Sequence, residues 1–178
     1  MRLPACADEG QALLRPADPD ALDCHDWSGD RLQADAELYA VLSAEHFDGP
    51  LWEHYAKELA GYGCAVLSAW LRTGLITKEC RRHGRPVDLP DAWTADDRWE
   101  VVLETVAKGL ETFRMSLLEG RWSSDAGASL RTYFAGSCTR AFPNVLRTWS
   151  REQQRWNRTG PAWDQDAMLA ERRPQQNP

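Results

Sequence analysis

Five arginines, Arg140, Arg147, Arg151, Arg155 and Arg158, are spaced 7, 4, 4 and 3 residues apart. At about 100° per residue, positions with those spacings fall within roughly 80° of one another on a helix. A stripe of guanidiniums with Asn144 between them has the chemistry to follow a phosphate backbone, by charge and by forked hydrogen bonds. Trp122, Tyr133 and Trp149 lie close by in the sequence, and flat rings of this kind stack on unpaired bases. The same residues also read as a solvated arginine face balanced by carboxylates elsewhere, with the aromatics, Trp149 above all, serving as core. On the residues alone both readings of the stripe stay open.

Catalytic patterns are not found. There is no phosphate-binding G-x-x-x-x-G-K-[ST] loop, no G-x-S-x-G elbow and no H-E-x-x-H pair. Gly61-Tyr62-Gly63 falls inside a helical pattern with no strand before it. The four histidines, at 25, 46, 54 and 83, make no nucleophile and base arrangement. His54, between Glu53 and Tyr55, is expected on a solvated helix face. Asp96-Asp97 is expected at a helix start rather than as an acid and base couple. The five cysteines, at 6, 24, 64, 80 and 138, are odd in number and contain no C-x-x-C pair, so reduced thiols are expected. The best zinc set would join Cys24 and His25 to Cys80 and His83, and only the second pair approaches ligand spacing. The residues thus point away from an enzyme, a metal site and a cofactor.

A chain of 178 residues, 43% hydrophobic and 27% charged, has the balance of one ordinary globular domain. At this length a core needs no disulfide or metal to hold it. No apolar run approaches the roughly 18 to 20 residues of a membrane span, and MRLPACADEGQALL lacks the basic start and apolar stretch of a signal peptide. A cytoplasmic protein is expected. The net charge of −6 hides an asymmetry: residues 1–50 carry 3 basic and 11 acidic side chains, whereas residues 121–160 carry 7 arginines against Asp125 and Glu152. The basic segment could meet a polyanion, and the acidic one opposes it.

The elements that must position these residues are helical. Residues 1–27, rich in Pro and Asp, read as a flexible acidic arm. From Ser28 a short helix carries Leu32, Leu38, Tyr39 and Leu42 on one side, and Asp48-Gly49-Pro50 breaks the chain. A second helix starts near Pro50 with Trp52, Tyr55, Leu59, Tyr62, Val66 and Trp70 on its apolar face. Gly61 and Gly63 either weaken it or admit another helix, and Thr73-Gly74 ends it. Residues 75–94 read as a connector with at most one helical turn. In the third helix Thr94 is the N-cap, with Asp96 and Asp97 in the first turn. Trp99, Val102, Val106, Leu110, Phe113 and Leu117 line one face, and Asp97, Glu100, Glu104, Lys108 and Glu111 the other. A fourth helix is expected from Ser124 or Asp125 to beyond Trp156, with Phe134, Cys138, Phe142, Val145, Trp149 and Trp156 on its apolar face. Pro143 should kink or divide it. Residues 159–178 read as a tail. No strand pattern and no internal repeat is found, so the expectation is an all-α, small helical bundle over residues 28–158.

Two segments resemble region 2 of bacterial sigma-70 family sigma factors, especially the small extracytoplasmic-function group, and the likeness runs from about Leu51 to Arg158. EVVLETVAKGLETF is similar to that family's DLVQETFLRAW helix, with Glu104 and Thr105 at the Glu-Thr pair. SLRTYFAGSCTRAFPNVLRTWSRE is similar to WLYRIARNLALDYLRRRRR, with Tyr133-Phe134 at the Trp-Leu position, Asn144 at the Asp and Arg147 at the first Arg after it. GASLRTYFAGSC, AFPNVLR and the Trp that follows also resemble sigma-like proteins of actinomycetes. The chain departs from the pattern where Leu103 replaces a Gln, where Arg140 replaces an Asn, and at Pro143.

The resemblance implies a sigma-factor-like transcription initiation protein. The polar face Asp97, Glu100, Glu104, Lys108 and Glu111 would dock on the clamp helices of RNA polymerase core. Tyr133, Arg140, Asn144, Arg147, Arg151, Arg155 and Arg158 would meet promoter DNA, the single-stranded −10 element. An anti-sigma protein is a further partner the resemblance implies. The 22 residues after Trp156 leave no room in this sequence for the helix-turn-helix domain that reads the −35 element. The alternative is a degenerate sigma-like interaction module that binds or sequesters polymerase without touching DNA.

Overall fold

The computed structural model describes residues 29–159. Among them the fold is an all-α bundle: α1 (Gly29–Ala44), α2 (Gly49–Thr73), α3 (Leu75–Arg82), α4 (Ala95–Leu118), a 3-10 turn (Ser124–Ala126) and α5 (Leu130–Thr159). The acidic arm, the tail, and Cys6, Cys24 and His25 lie outside the described residues, and Ser28 lies just before them.

α1 stops in a tight turn where His46 and Phe47 both take left-handed backbone, φ 54° and 52°. That conformation costs about 1–2 kcal/mol for a residue with a Cβ. Here it is held by contacts: the Phe47 ring is buried between Tyr39 and Trp52, and Arg114 Nε donates to its carbonyl at 2.8 Å. Asp48 then caps α2, with Pro50 in the first turn as expected. Trp52, Tyr55, Leu59, Val66 and Trp70 are buried along α2, and Tyr62 half-buried.

Gly74, at φ 72°, ends α2 and redirects the chain by 105° into α3. This two-turn helix is longer than the single turn expected of residues 75–94. It is held by Ile76 and Cys80, four residues apart and fully buried, an i, i+4 pair too short to stand out by periodicity among Lys78, Arg81 and Arg82. No single helix among the described residues is long and apolar enough to cross a membrane.

The start of α4 forms as its sequence requires. Thr94 Oγ1 accepts from the Asp97 amide at 3.1 Å, and the Asp97 carboxylate accepts from the Thr94 amide at 2.7 Å, a reciprocal cap. The Thr94 backbone donor, followed by its hydroxyl, holds the Asp97 carboxyl below its ordinary value. The buried face, however, runs through Val101, Val102, Thr105, Val106, Gly109, Phe113, Ser116 and Leu117. It is turned by about 60° from the expected line. Trp99, expected in the core, is 49% exposed, and Leu110 is only half-buried.

The reason for the rotation is backbone approach. A Cβ at Gly109 would meet Cys138 Sγ at 2.5 Å and Cys138 Cα at 3.1 Å, so α5 packs on a line of small residues that hydrophobic spacing does not mark. Thr105, Ser116, Ser137 and Thr139 are buried in the core with it. Gly63 is the second close approach: a Cβ there would lie 2.9 Å from the Phe134 ring, whereas Gly61 faces open space.

The helix carrying the arginines begins at Leu130, five or six residues later than expected, because Ser124–Ala126 forms a separate 3-10 turn closed by Gly127 at φ 76°. Asp35 on α1 accepts from the Leu130 amide at 2.8 Å, and Ser129 Oγ from that of Thr132 at 3.1 Å. Pro143 does not divide α5, which is one helix of 30 residues. A proline leaves the carbonyl four residues before it, here that of Thr139, without its helical donor. Arg85 Nη1 donates to the Arg140 carbonyl at 3.2 Å, and the Cys80 thiol approaches that of Thr139 at 3.8 Å. The Cys80 thiol therefore faces the carbonyl that the proline frees, and Arg85 adds a donor at the next one. Cys80 is thus a buried thiol, its pKa pushed up to about 11 by burial. Cys64, Cys80 and Cys138 are all unpaired, and no His, Cys, Asp or Glu cluster among the described residues could hold a metal ion.

Candidate protein and nucleic-acid interface

α4 and α5 pack side by side, and between them runs an open groove of about 1030 Å³. Its floor is apolar, from Val101, Ala107, Ala141, Val145 and the edge of Trp149. One wall is α4, with Glu100, Glu104, Lys108 and Glu111; the other is α5, with Arg140, Asn144 and Glu152. Four residues of the set the sequence assigns to polymerase thus share one groove with Arg140 and Asn144 of the set it assigns to DNA.

On the α4 wall Lys108 pairs with Glu111 at 3.2 Å, both ends solvated, a geometry worth little in stability. Glu100 and Glu104 are exposed, and neither has a partner among the described residues. Asp97 does not join them, being half-buried and occupied by the Thr94 cap. At the matched Glu-Thr pair the two side chains part: Glu104 faces the groove, and the Thr105 hydroxyl is buried with no hydrogen-bond partner.

On the α5 wall the arginine stripe divides. The Arg140 guanidinium bonds Ser137 Oγ at 3.1 Å and lies over the Tyr133 ring, 5.9 Å from its centre. Arg147, outside the groove lining, donates from Nη1 to Asn144 Oδ1 at 3.2 Å. Arg151, Arg155 and Arg158 are exposed beyond the groove, with Arg158 Nε donating to the Gln154 carbonyl at 3.2 Å.

The aromatics expected to stack are placed differently. Trp122 is buried, its ring on Tyr39 and its indole N–H on the Ala128 carbonyl at 2.9 Å. Tyr133 is half-buried, against Phe113 on one side and Arg140 on the other. Trp149 is core, as its place on the apolar face implies, with Trp93 packed edge-on at 5.7 Å and its indole N–H unpartnered. Trp156, expected on the apolar face, is 74% exposed. Arg85 and Glu152 are groove residues that sequence reasoning missed; Arg85 comes from a connector whose path no local pattern predicts.

No protein-family profile, no curated protein and no solved structure matches this chain. The family likeness therefore rests on the motif residues themselves.

Proposed function

We propose that this chain is a sigma-factor-like transcription initiation protein of the cytoplasm, binding RNA polymerase core through α4 and promoter −10 DNA along α5. The observation that supports this reading is the single groove whose two walls carry the motif-matched Glu104 and Asn144, with Arg147 bonded to the latter. Arginine and asparagine along a rim can hold phosphates, and exposed carboxylates beside an apolar floor suit a protein helix. One observation favours the second reading, an interaction module without DNA binding: Trp122 and Tyr133 are covered within the protein.

The experiment has two arms. Glu104→Lys with Glu111→Lys is expected to weaken capture of core polymerase while leaving the helical circular dichroism unchanged; equal capture counts against the α4 wall. Arg147→Ala with Arg151→Ala is expected to weaken binding to any single-stranded oligonucleotide. The salt dependence should flatten too, its slope falling by about 0.7 for each phosphate the variant no longer neutralises. If neither the protein nor its complex with core polymerase binds −10 strands, the interaction module is the correct reading.

A further inference from the structure

We infer that a second pocket, bounded by α1, α2 and the residues leading into α5, binds a free α-amino acid with an aliphatic side chain. Its volume is about 350 Å³, at the small end of the roughly 300–1,000 Å³ of small-molecule sites. It shares no lining residue with the groove between α4 and α5, and binding there is independent of any role in transcription. The side chain that points to a ligand is Tyr55, which is 8% exposed. A buried phenol ordinarily bonds a partner, as Tyr39 does by donating to the Leu117 carbonyl at 3.2 Å. The Tyr55 hydroxyl has no hydrogen-bond partner among the described residues. Unlike the indole N–H groups of Trp70 and Trp149, it is not sealed from solvent, so it opens onto the pocket it lines. Burial above all, then the Asp35 carboxylate, raises its pKa and keeps it protonated. It is a donor that lacks an acceptor.

The chemistry of the lining is ordered along the two helices. On α1 it runs Arg31, Asp35, Leu38, at steps of four and three residues that keep one face. On α2, read from its C-terminal side, it runs Glu58, Tyr55, Leu51. The cationic end lies toward Tyr62: the Arg131 guanidinium sits over that ring, 5.7 Å from its centre. There burial raises the phenol pKa and the opposing charges are Arg131 and Arg31. Cation, carboxylate and apolar contact thus follow one another, the order in which an α-amino acid presents its carboxylate, ammonium and side chain. Guanidinium forks and the Tyr55 hydroxyl suit the carboxylate. Asp35 uses one oxygen on the Leu130 amide at 2.8 Å and has the other for the ammonium. Glu58, paired with the solvated His54 at 3.4 Å, is the second acceptor, and Leu38 and Leu51 receive the aliphatic chain. Two arginines against two carboxylates also suit a ligand without net charge.

The test titrates the isotope-labelled full chain with L-leucine and follows backbone amide chemical shifts. Saturable shifts centred on Asp35, Tyr55, Ser129 and Arg131 are expected, with a Kd of about 1 mM or below. Isocaproate, which lacks the ammonium, and isoamylamine, which lacks the carboxylate, should each bind at least about 10-fold more weakly, because one set of charged hydrogen bonds goes unmade. Tyr55→Phe removes an oxygen that bonds nothing among the described residues, so circular dichroism and Tm should hold while leucine affinity falls about 10-fold. Arg131→Gln should weaken leucine by a similar factor. Glu53→Gln, exposed on α2 outside the pocket, should leave the affinity as it is. Absence of saturable shifts at leucine concentrations of about 10 mM overturns the amino-acid site, as do shifts centred elsewhere on the protein. Equal binding of isocaproate, isoamylamine or inorganic phosphate overturns it too, as does unchanged leucine affinity in both pocket variants.

Discussion

The two ends of α5 repeat one amphipathic pattern and meet different fates. From Leu130 to Trp149 its apolar positions are buried: Phe134, Cys138 and Phe142 are each at most 1% exposed. Seven residues after Trp149, in phase with it, Trp156 is 74% exposed. The first stretch is covered by α4, with Gly109 and Gly63 letting neighbours approach; the second is left largely to solvent. A helical pattern defines a face, but whether that face is core depends on whether another element reaches it. The arginine stripe obeys the same rule. Arg140 and Arg147, beside the packed region, are held by Ser137 and Asn144, whereas Arg151 stands in solvent.

The contrast is tested first where packing is densest. Phe113 is fully buried against Trp52 and Phe134, and Phe113→Ala is expected to cost about 3–5 kcal/mol, a large share of a typical domain's stability. Thermal and urea unfolding measure it, and a midpoint near that of wild type would mean the α4 face is wrongly phased. Gly109→Ala comes next. Overpacking costs about 1–3 kcal/mol, and here the obstruction includes Cys138 backbone, which cannot rotate away. A stable alanine variant would show that α4 and α5 do not approach so closely. Smallest is Trp156→Ala, expected to stay within about 0.5 kcal/mol of wild type. A larger loss would reveal a covering segment on the far end of α5 and remove the contrast.

Much of the helical content was legible because its signals are local. Thr94, Asp97, Asp48, Pro50 and Gly74 mark helix ends through short-range hydrogen bonds and backbone preference, and each does so in the structure. Other features were not legible, for reasons of the same kind. The rotation of α4 depends on small and hydroxylated residues, Thr105, Gly109 and Ser116, that apolar spacing passes over. Gly109 registers as an interface residue only when Cys138 is known to oppose it. The carbonyl that Pro143 frees, that of Thr139, is approached by the Cys80 thiol from 59 residues away, a contact no local pattern announces.

The site was legible in part. Periodicity alone put Glu100, Glu104, Lys108 and Glu111 on one exposed face, and the arginine spacing put Arg147 and Arg151 on another. The stacking role of Tyr133 was not testable by spacing, because its ring is covered by Phe113 from α4 as well as by Arg140 from its own helix.

By itself the sequence determined an all-α chain, both ends of α2 and the start of α4, and the polar composition of the exposed faces, because these follow from contacts within four residues. The tertiary structure alone decided which apolar residues are core, that Pro143 can be tolerated, and that the acidic face of α4 and Arg140 and Asn144 of α5 open onto one groove. Those outcomes depend on how closely two helices distant in sequence approach, and that distance is set by a glycine and a cysteine that carry no signal until they meet.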